Sequence, residues 1–193
     1  MQTFIKSDNY QLGLATQCLD GKYGDILELC LYNSVLTAMS TDGKKFTYVN
    51  QLASSDTDLS KREEWFTCAC CPPNILRLFG QLGGYIWDET RWHDAGPTEL
   101  VVHLYVASTY TLSTDNRGIT VSQEGDFPRK GDVKFTVRGP PEAGFNLKLR
   151  IPAYAAAAWK VTSHSAGLRG VNNVLIEFSS SQIARLRRQT EAT

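Results

Sequence analysis

The sequence predicts an α+β protein in two parts, with helices first and a β domain after them. Three observations carry that expectation. Apolar residues recur at spacings of three and four through the first half of the chain. A second stretch of the same kind follows a diproline. Beyond about Glu89 the pattern changes to the short alternating runs of strands, broken by turn residues.

The elements follow in chain order. From Asp25 to Met39, the residues Ile26, Leu27, Cys30, Leu31, Val35, Leu36 and Met39 would share a broad helical face. Ser40-Thr41-Asp42-Gly43 ends that helix with turn chemistry. Lys45 to Asn50 alternates like a short strand, and the polar run from Ser54 to Arg62 reads as an exposed loop. Pro72-Pro73 then opens a helix from Asn74 to Tyr85, because proline in a first helical turn gives up only an N–H that would be unpaired anyway. Leu76, Phe79, Leu82 and Ile86 would form its buried stripe, with Gly83-Gly84 as its end.

The β half contains Leu100 to Val106, Ile119 to Gln123, Val133 to Arg138, Phe145 to Ile151 and Val174 to Phe178 as strands. Turns fall at Asn116-Arg117-Gly118, Arg129-Lys130-Gly131 and Gly139-Pro140-Pro141. Short strands at this spacing predict a β-sandwich. The boundaries read as a helical segment over 1–88, a β domain over 97–180 and a solvated tail over 181–193, with the join near Asp88 to Pro97.

Composition narrows the partners. The chain has 193 residues, 42% hydrophobic and 21% charged, which is ordinary for a globular protein. Its 20 basic and 20 acidic residues cancel, so no field draws it to nucleic acid or an anionic membrane. No apolar run reaches the roughly 20 residues of a membrane helix. Met1 to Tyr10 lacks the apolar core of a signal peptide, which makes the cytoplasm the default expectation.

The five cysteines are Cys18, Cys30, Cys68, Cys70 and Cys71, and three of them fall within four residues. A disulfide framework would spread them out. Two readings of the cluster stand on the residues alone. One is small buried hydrophobes. The other is a reactive or metal-binding thiolate site at a helix start, where unpaired N–H groups favour negative charge. A zinc finger would need a second ligand pair at a distance, and none follows. His93, His103 and His164 are isolated and read as structural or exposed. Glu28-Leu29-Cys30 has Glu-x-Cys spacing, but residues two apart on a helix point about 200° from each other and hold one ion poorly. Glu63 and Glu64 read as a solvated pair on a loop.

The run Trp65-Phe66-Thr67-Cys68-Ala69-Cys70-Cys71-Pro72-Pro73-Asn74-Ile75-Leu76-Arg77 resembles the hallmark of the family 127 glycoside hydrolases, the β-L-arabinofuranosidases. The match continues on both sides. Leu31-Tyr32-Asn33-Ser34-Val35-Leu36, Asp42-Gly43-Lys44-Lys45-Phe46 and Tyr48-Val49-Asn50 precede the hallmark; Val102-His103-Leu104-Tyr105-Val106-Ala107-Ser108 and Leu149-Arg150-Ile151-Pro152 follow it.

The resemblance implies the C-terminal part of an (α/α)6 barrel followed by a β-sandwich, and a carbohydrate substrate of arabinofuranoside type. It implies a retaining mechanism with Cys70 as nucleophile, and zinc held by Cys70 and Cys71. The family's remaining zinc ligands come from an upstream Glu-x-Cys, and its acid/base is a glutamate further upstream. Spacing would put that Glu-x-Cys near the start of this chain, where Met1-Gln2-Thr3-Phe4 does not contain it. The expectation is therefore an incomplete portion of a longer enzyme, or an inactive remnant that binds carbohydrate or protein. Its helices would expose apolar faces that partners normally cover.

Overall fold

The computed structural model describes residues 20–48, 61–68, 70, 72–91, 98–113, 118–140, 145–157, 159–166 and 171–178. The chain divides into two compact units, Met1–Gly83 and Gly84–Thr193. The expected tail over 181–193, most of the loop from Ser54, and the turn at Asn116-Arg117 lie outside the described residues.

The described part of the first unit begins with helix α1, Gly21–Cys30, which starts four residues earlier than the periodicity predicts. Asp20 caps it: its carboxylate accepts from the Lys22 N–H at 3.0 Å, satisfying one of the helix's unpaired donors. The chain stays helical through Ala38, but its winding changes to a π turn at Leu31–Val35 and a 3-10 turn at Leu36–Ala38. Polar side chains compete with the backbone ladder there. The Asn33 amide donates to the Leu29 carbonyl at 2.9 Å, and the Thr37 hydroxyl donates to the Asn33 carbonyl at 2.8 Å. The buried stripe is Leu27, Leu31, Val35 and Ala38. Ile26 and Leu36, placed on that face by periodicity, are exposed instead.

The turn at Ser40–Gly43 forms as expected, with the Gly43 φ at +72°, a conformation that favours glycine. Ser40 N–H donates to the Lys45 carbonyl at 2.8 Å. The strand that follows is short: β1, Phe46–Thr47, pairs antiparallel with β2, Arg62–Glu63. Arg62 and Glu63 are thus in a strand rather than in a loop. The Arg62 guanidinium anchors β2 by donating through Nε and Nη2 to the Thr37 carbonyl, at 3.1 and 2.5 Å.

Helix α2 runs Pro73–Gly80, with Pro72 at its cap position. Its buried residues are Ile75 and Leu78, while Leu76 is 59% exposed. The stripe expected on Leu76 and Phe79 is therefore rotated by one position. Gly83-Gly84 does not end this helix; it opens a separate short turn, α3, Gly83–Ile86, that runs into the second unit.

Among the described residues, the second unit holds two sheets. In the first, β3 (Trp87–Arg91) pairs antiparallel with β4 (Thr98–Val102), and β4 pairs parallel with β8 (Asn146–Leu149). Asp88 to Arg91 was expected to belong to a linker. Its side chains do not alternate in hydropathy, but backbone pairing from Trp87↔Val102 to Arg91↔Thr98 makes it a strand. The other sheet is fully antiparallel, in the order β5 (Ser108–Thr111), β6 (Thr120–Gly125), β7 (Asp132–Arg138), β10 (Val171–Phe178) and β9 (Trp159–Ala166). The expected strand from Leu100 to Val106 stops at Val102, and β5 begins six residues later.

The core of this unit gathers Leu100, Val102, Leu104, Ile119, Val121 and Phe135. Trp87 of the first sheet reaches the second through its ring contacts with Tyr110 at 5.9 Å and Phe135 at 6.5 Å. Its indole N–H donates to the Ser108 hydroxyl at 3.0 Å, and buried Gln123 donates to the same hydroxyl and to the Leu104 carbonyl, each at 3.2 Å.

His103 is buried in this core, and its Nε2 has no hydrogen-bond partner among the described residues. Its carbonyl accepts from the Arg150 Nε at 2.6 Å. Burial, with the Arg150 guanidinium beside it, pushes the imidazole down from 6.5 to about 4. The unfolded chain therefore takes up a proton at a higher pH than the folded one. The stability due to the neutral ring is complete above about pH 6.5 and is lost as the pH falls toward about 4. That loss is on the order of 3 kcal/mol. Denaturant midpoints at pH 7 and pH 4 measure it, and His103→Gln is expected to remove most of the difference between them.

The first unit leaves large apolar side chains in solvent: Ile26, Leu29, Leu36, Leu76 and, at 79% exposure, Trp65. Exposed apolar area of this kind associates. Light scattering on the purified chain is expected to show self-association that grows with concentration. A clean monomer would contradict it.

Candidate active site

The geometry around Cys70 begins with α2. Pro72 and Pro73 fix the backbone at its start. Cys70 is reduced and exposed, two residues before that cap. Its carbonyl accepts from the Asn74 amide at 3.4 Å, and Asn74 in turn accepts from Arg77 Nη1 at 2.6 Å. The first turn of α2 thus holds the backbone of Cys70.

The sulfur has a separate contact. The Tyr48 hydroxyl lies 3.3 Å from Cys70 Sγ, within hydrogen-bonding reach. The Tyr48 ring packs on Phe66, with centroids 5.2 Å apart. Pairing of β1 with β2 brings these segments together, although Tyr48 and Cys70 are 22 residues apart in sequence. The sequence marked Tyr48 only as part of a flanking phrase. No periodicity or spacing connects a strand-end tyrosine to a helix-start cysteine.

The other expected residues are placed less decisively. Cys71, His93 and Cys18 lie outside the described residues. Cys68 is reduced and exposed, two residues from Cys70. Glu28 and Cys30 both lie within α1. Glu63 belongs to β2, and Glu64 forms a loose, exposed pair with Lys45 at 3.9 Å, a type of contact that contributes little. His103 is a core residue of the second unit, and His164 falls in β9.

Among the described residues no three His, Cys, Asp or Glu side chains gather closely enough to hold a metal ion. The donor type at Cys70 is nonetheless right for zinc: a thiolate is a soft anionic ligand, and a second thiol follows at once in Cys71. Also among the described residues, no helix is long and apolar enough to cross a membrane.

An exposed cysteine, backed by a diproline helix start and touched by a tyrosine hydroxyl, places this in the class of candidate thiol sites. The comparisons make that class specific. Residues 10–84 match the family model described as "Beta-L-arabinofuranosidase, GH127 catalytic domain". Residues 99–173 match "Beta-L-arabinofuranosidase, GH127 middle domain". The chain belongs to glycoside hydrolase family 127 and carries parts of both domains.

A curated relative, the non-reducing end β-L-arabinofuranosidase of Bifidobacterium longum, is 37% identical over 164 residues. That alignment takes in 77% of this chain and 24% of the relative, so the chain spans about a quarter of the relative's length. A crystal structure of a family 127 β-L-arabinofuranosidase from Geobacillus stearothermophilus is similar at a TM-score of 0.65 and 34% identity, over 83% of this chain and 28% of that one. A structure named only as a glycoside hydrolase aligns at a TM-score of 0.73 and 29% identity, over 91% of this chain and 32% of that one.

Proposed function

We propose that this chain contributes the nucleophile and part of the sandwich to a retaining β-L-arabinofuranosidase-type glycoside hydrolase. The observation that carries the reading is Cys70: an exposed thiol at the start of α2, inside the segment that matches the family's catalytic domain. In this reading the first unit is the closing part of an (α/α)6 barrel, and the two sheets of the second unit form a β-sandwich. The substrate is a carbohydrate of arabinofuranoside type.

The chemistry follows from what sulfur can do. Retaining glycosidases ordinarily use one carboxylate as nucleophile and a second as acid/base. Here Cys70 Sγ attacks the anomeric carbon as the bond from that carbon to the leaving oxygen breaks, giving a glycosyl thioether. A general acid protonates the leaving oxygen. Water, deprotonated by the same group, then displaces Sγ and releases the sugar with its configuration retained. None of the described carboxylates is assigned as that acid.

Cys70 and Cys71 would be the chain's two zinc ligands, with the others supplied from elsewhere in a complete enzyme. Bound zinc would supply positive charge that keeps the sulfur anionic. The Asn74 contact to the Cys70 carbonyl and the Pro72-Pro73 backbone hold the main chain of the residue.

Intact-mass analysis tests the reading. Incubation of a complete enzyme carrying this segment with an aryl β-L-arabinofuranoside is expected to add one arabinosyl residue to the protein, mapped by peptide sequencing to Cys70. Release of the aryl group with no adduct at Cys70 would overturn the nucleophile assignment. Sugar binding with neither release nor adduct would favour a non-catalytic carbohydrate-binding remnant.

A further inference from the structure

We infer that Tyr48 is the positioning residue for the Cys70 sulfur, an inference that rests on the reading of Cys70 as nucleophile. The contact is direct, with the phenolic oxygen 3.3 Å from Sγ. Either atom can donate while the sulfur is protonated. Once it is a thiolate it has no proton to give, and the bond then requires Tyr48 to donate.

The tyrosine is held from several sides. Its neighbour Thr47 is buried, and the Thr47 hydroxyl donates to the Ala38 carbonyl at 3.2 Å. Thr47 is also registered opposite Arg62, which is itself tied to the Thr37 carbonyl. The Tyr48 ring packs on Phe66, four residues before Cys70. One tertiary arrangement therefore fixes the hydroxyl, while α2 fixes the Cys70 backbone through Asn74. A cysteine side chain has one free rotation about Cα–Cβ, and a backbone tether leaves it open. The hydroxyl selects one of its settings. A nucleophile held in a single direction gains rate from alignment, whereas a residue that only binds sugar changes affinity.

Tyr48→Phe deletes the hydroxyl and keeps the ring on Phe66. Two readouts on a complete enzyme carrying this segment test the inference. The first is the build-up of the arabinosyl adduct on Cys70, followed against substrate concentration. The maximal rate is expected to fall about tenfold to a hundredfold, with the half-saturating concentration unchanged within about twofold. The second needs no sugar: labelling by iodoacetamide, with Cys68 of the same molecules as internal standard. The ratio of Cys70 to Cys68 labelling is expected to fall several-fold in Tyr48→Phe, with the thermal midpoint held.

An unchanged labelling ratio and an unchanged adduct rate would overturn the positioning role. A raised half-saturating concentration at an unchanged maximal rate would also overturn it, and would make Tyr48 a sugar-binding residue. Absence of any adduct in the unsubstituted enzyme is a different failure, because it removes the nucleophile reading itself.

Discussion

Cys70→Ser is expected to lower arabinofuranoside turnover about a thousandfold or more, equivalent to roughly 4 kcal/mol of transition-state stabilisation. The substitution keeps size and hydrogen-bonding capacity nearly constant, so its effect reports on sulfur chemistry. A serine hydroxyl stays protonated where a thiol ionises, and it is a far weaker nucleophile without an adjacent base. It is also a poor soft-metal ligand, so zinc retained by the unsubstituted protein should be lost or weakened. The fold should survive, because Cys70 is exposed and contributes no core packing. The measurement is steady-state release of the aryl group by a complete enzyme carrying this segment, unsubstituted and substituted, with metal content read on the same samples. Full turnover by the serine variant would mean that the thiol is not the nucleophile.

Phe135→Ala is expected to destabilise the second unit by about 3–5 kcal/mol. Phe135 lies in β7, in the middle of the five-stranded sheet, and is fully buried. Its ring meets Trp87 edge-on at 6.5 Å and Tyr105 at 6.3 Å. Removing it leaves a cavity at the point where Trp87 of one sheet reaches the other, and strands on both sides would have to move to close it. A loss of this size is a large part of the total stability of a domain. The check is a denaturant titration followed by tryptophan fluorescence, since Trp87 lies against the deleted ring. A midpoint shift equivalent to less than about 1 kcal/mol would show that the contact between the sheets is carried elsewhere.

The cysteine cluster stood out because it is local. Three thiols ahead of a diproline announce both a chemistry and a helix start, and α2 begins at Pro73 as that sequence implies. The fold class was legible for a similar reason, since helical and strand periods depend on neighbours a few residues apart. The details that moved were those decided by pairing. β3 carries no alternating pattern, yet it becomes a strand because β4 offers it a backbone partner. Gly83-Gly84 looks like a helix end but opens α3. The broad face expected from Asp25 to Met39 contracts to Leu27, Leu31, Val35 and Ala38.

His103 and Tyr48 show the same division. As text, His103 is one of three isolated histidines. Folding sets it in a core beside Arg150 and drives its imidazole down to about 4. Tyr48 is a strand-end aromatic, 22 residues from the cysteine that it touches.

The sequence by itself determined the helix-then-strand order and the family, and it singled out Cys70 as a candidate. Each is written in residue types and short spacings, which act before any long-range contact forms. Only the tertiary structure decided that Trp87–Arg91 is a strand, that His103 is buried and neutral, and that Tyr48 meets Cys70 Sγ at 3.3 Å. These depend on which distant segments become neighbours. That is settled by the pairing of strands and the packing of both units' cores, and no local pattern encodes it.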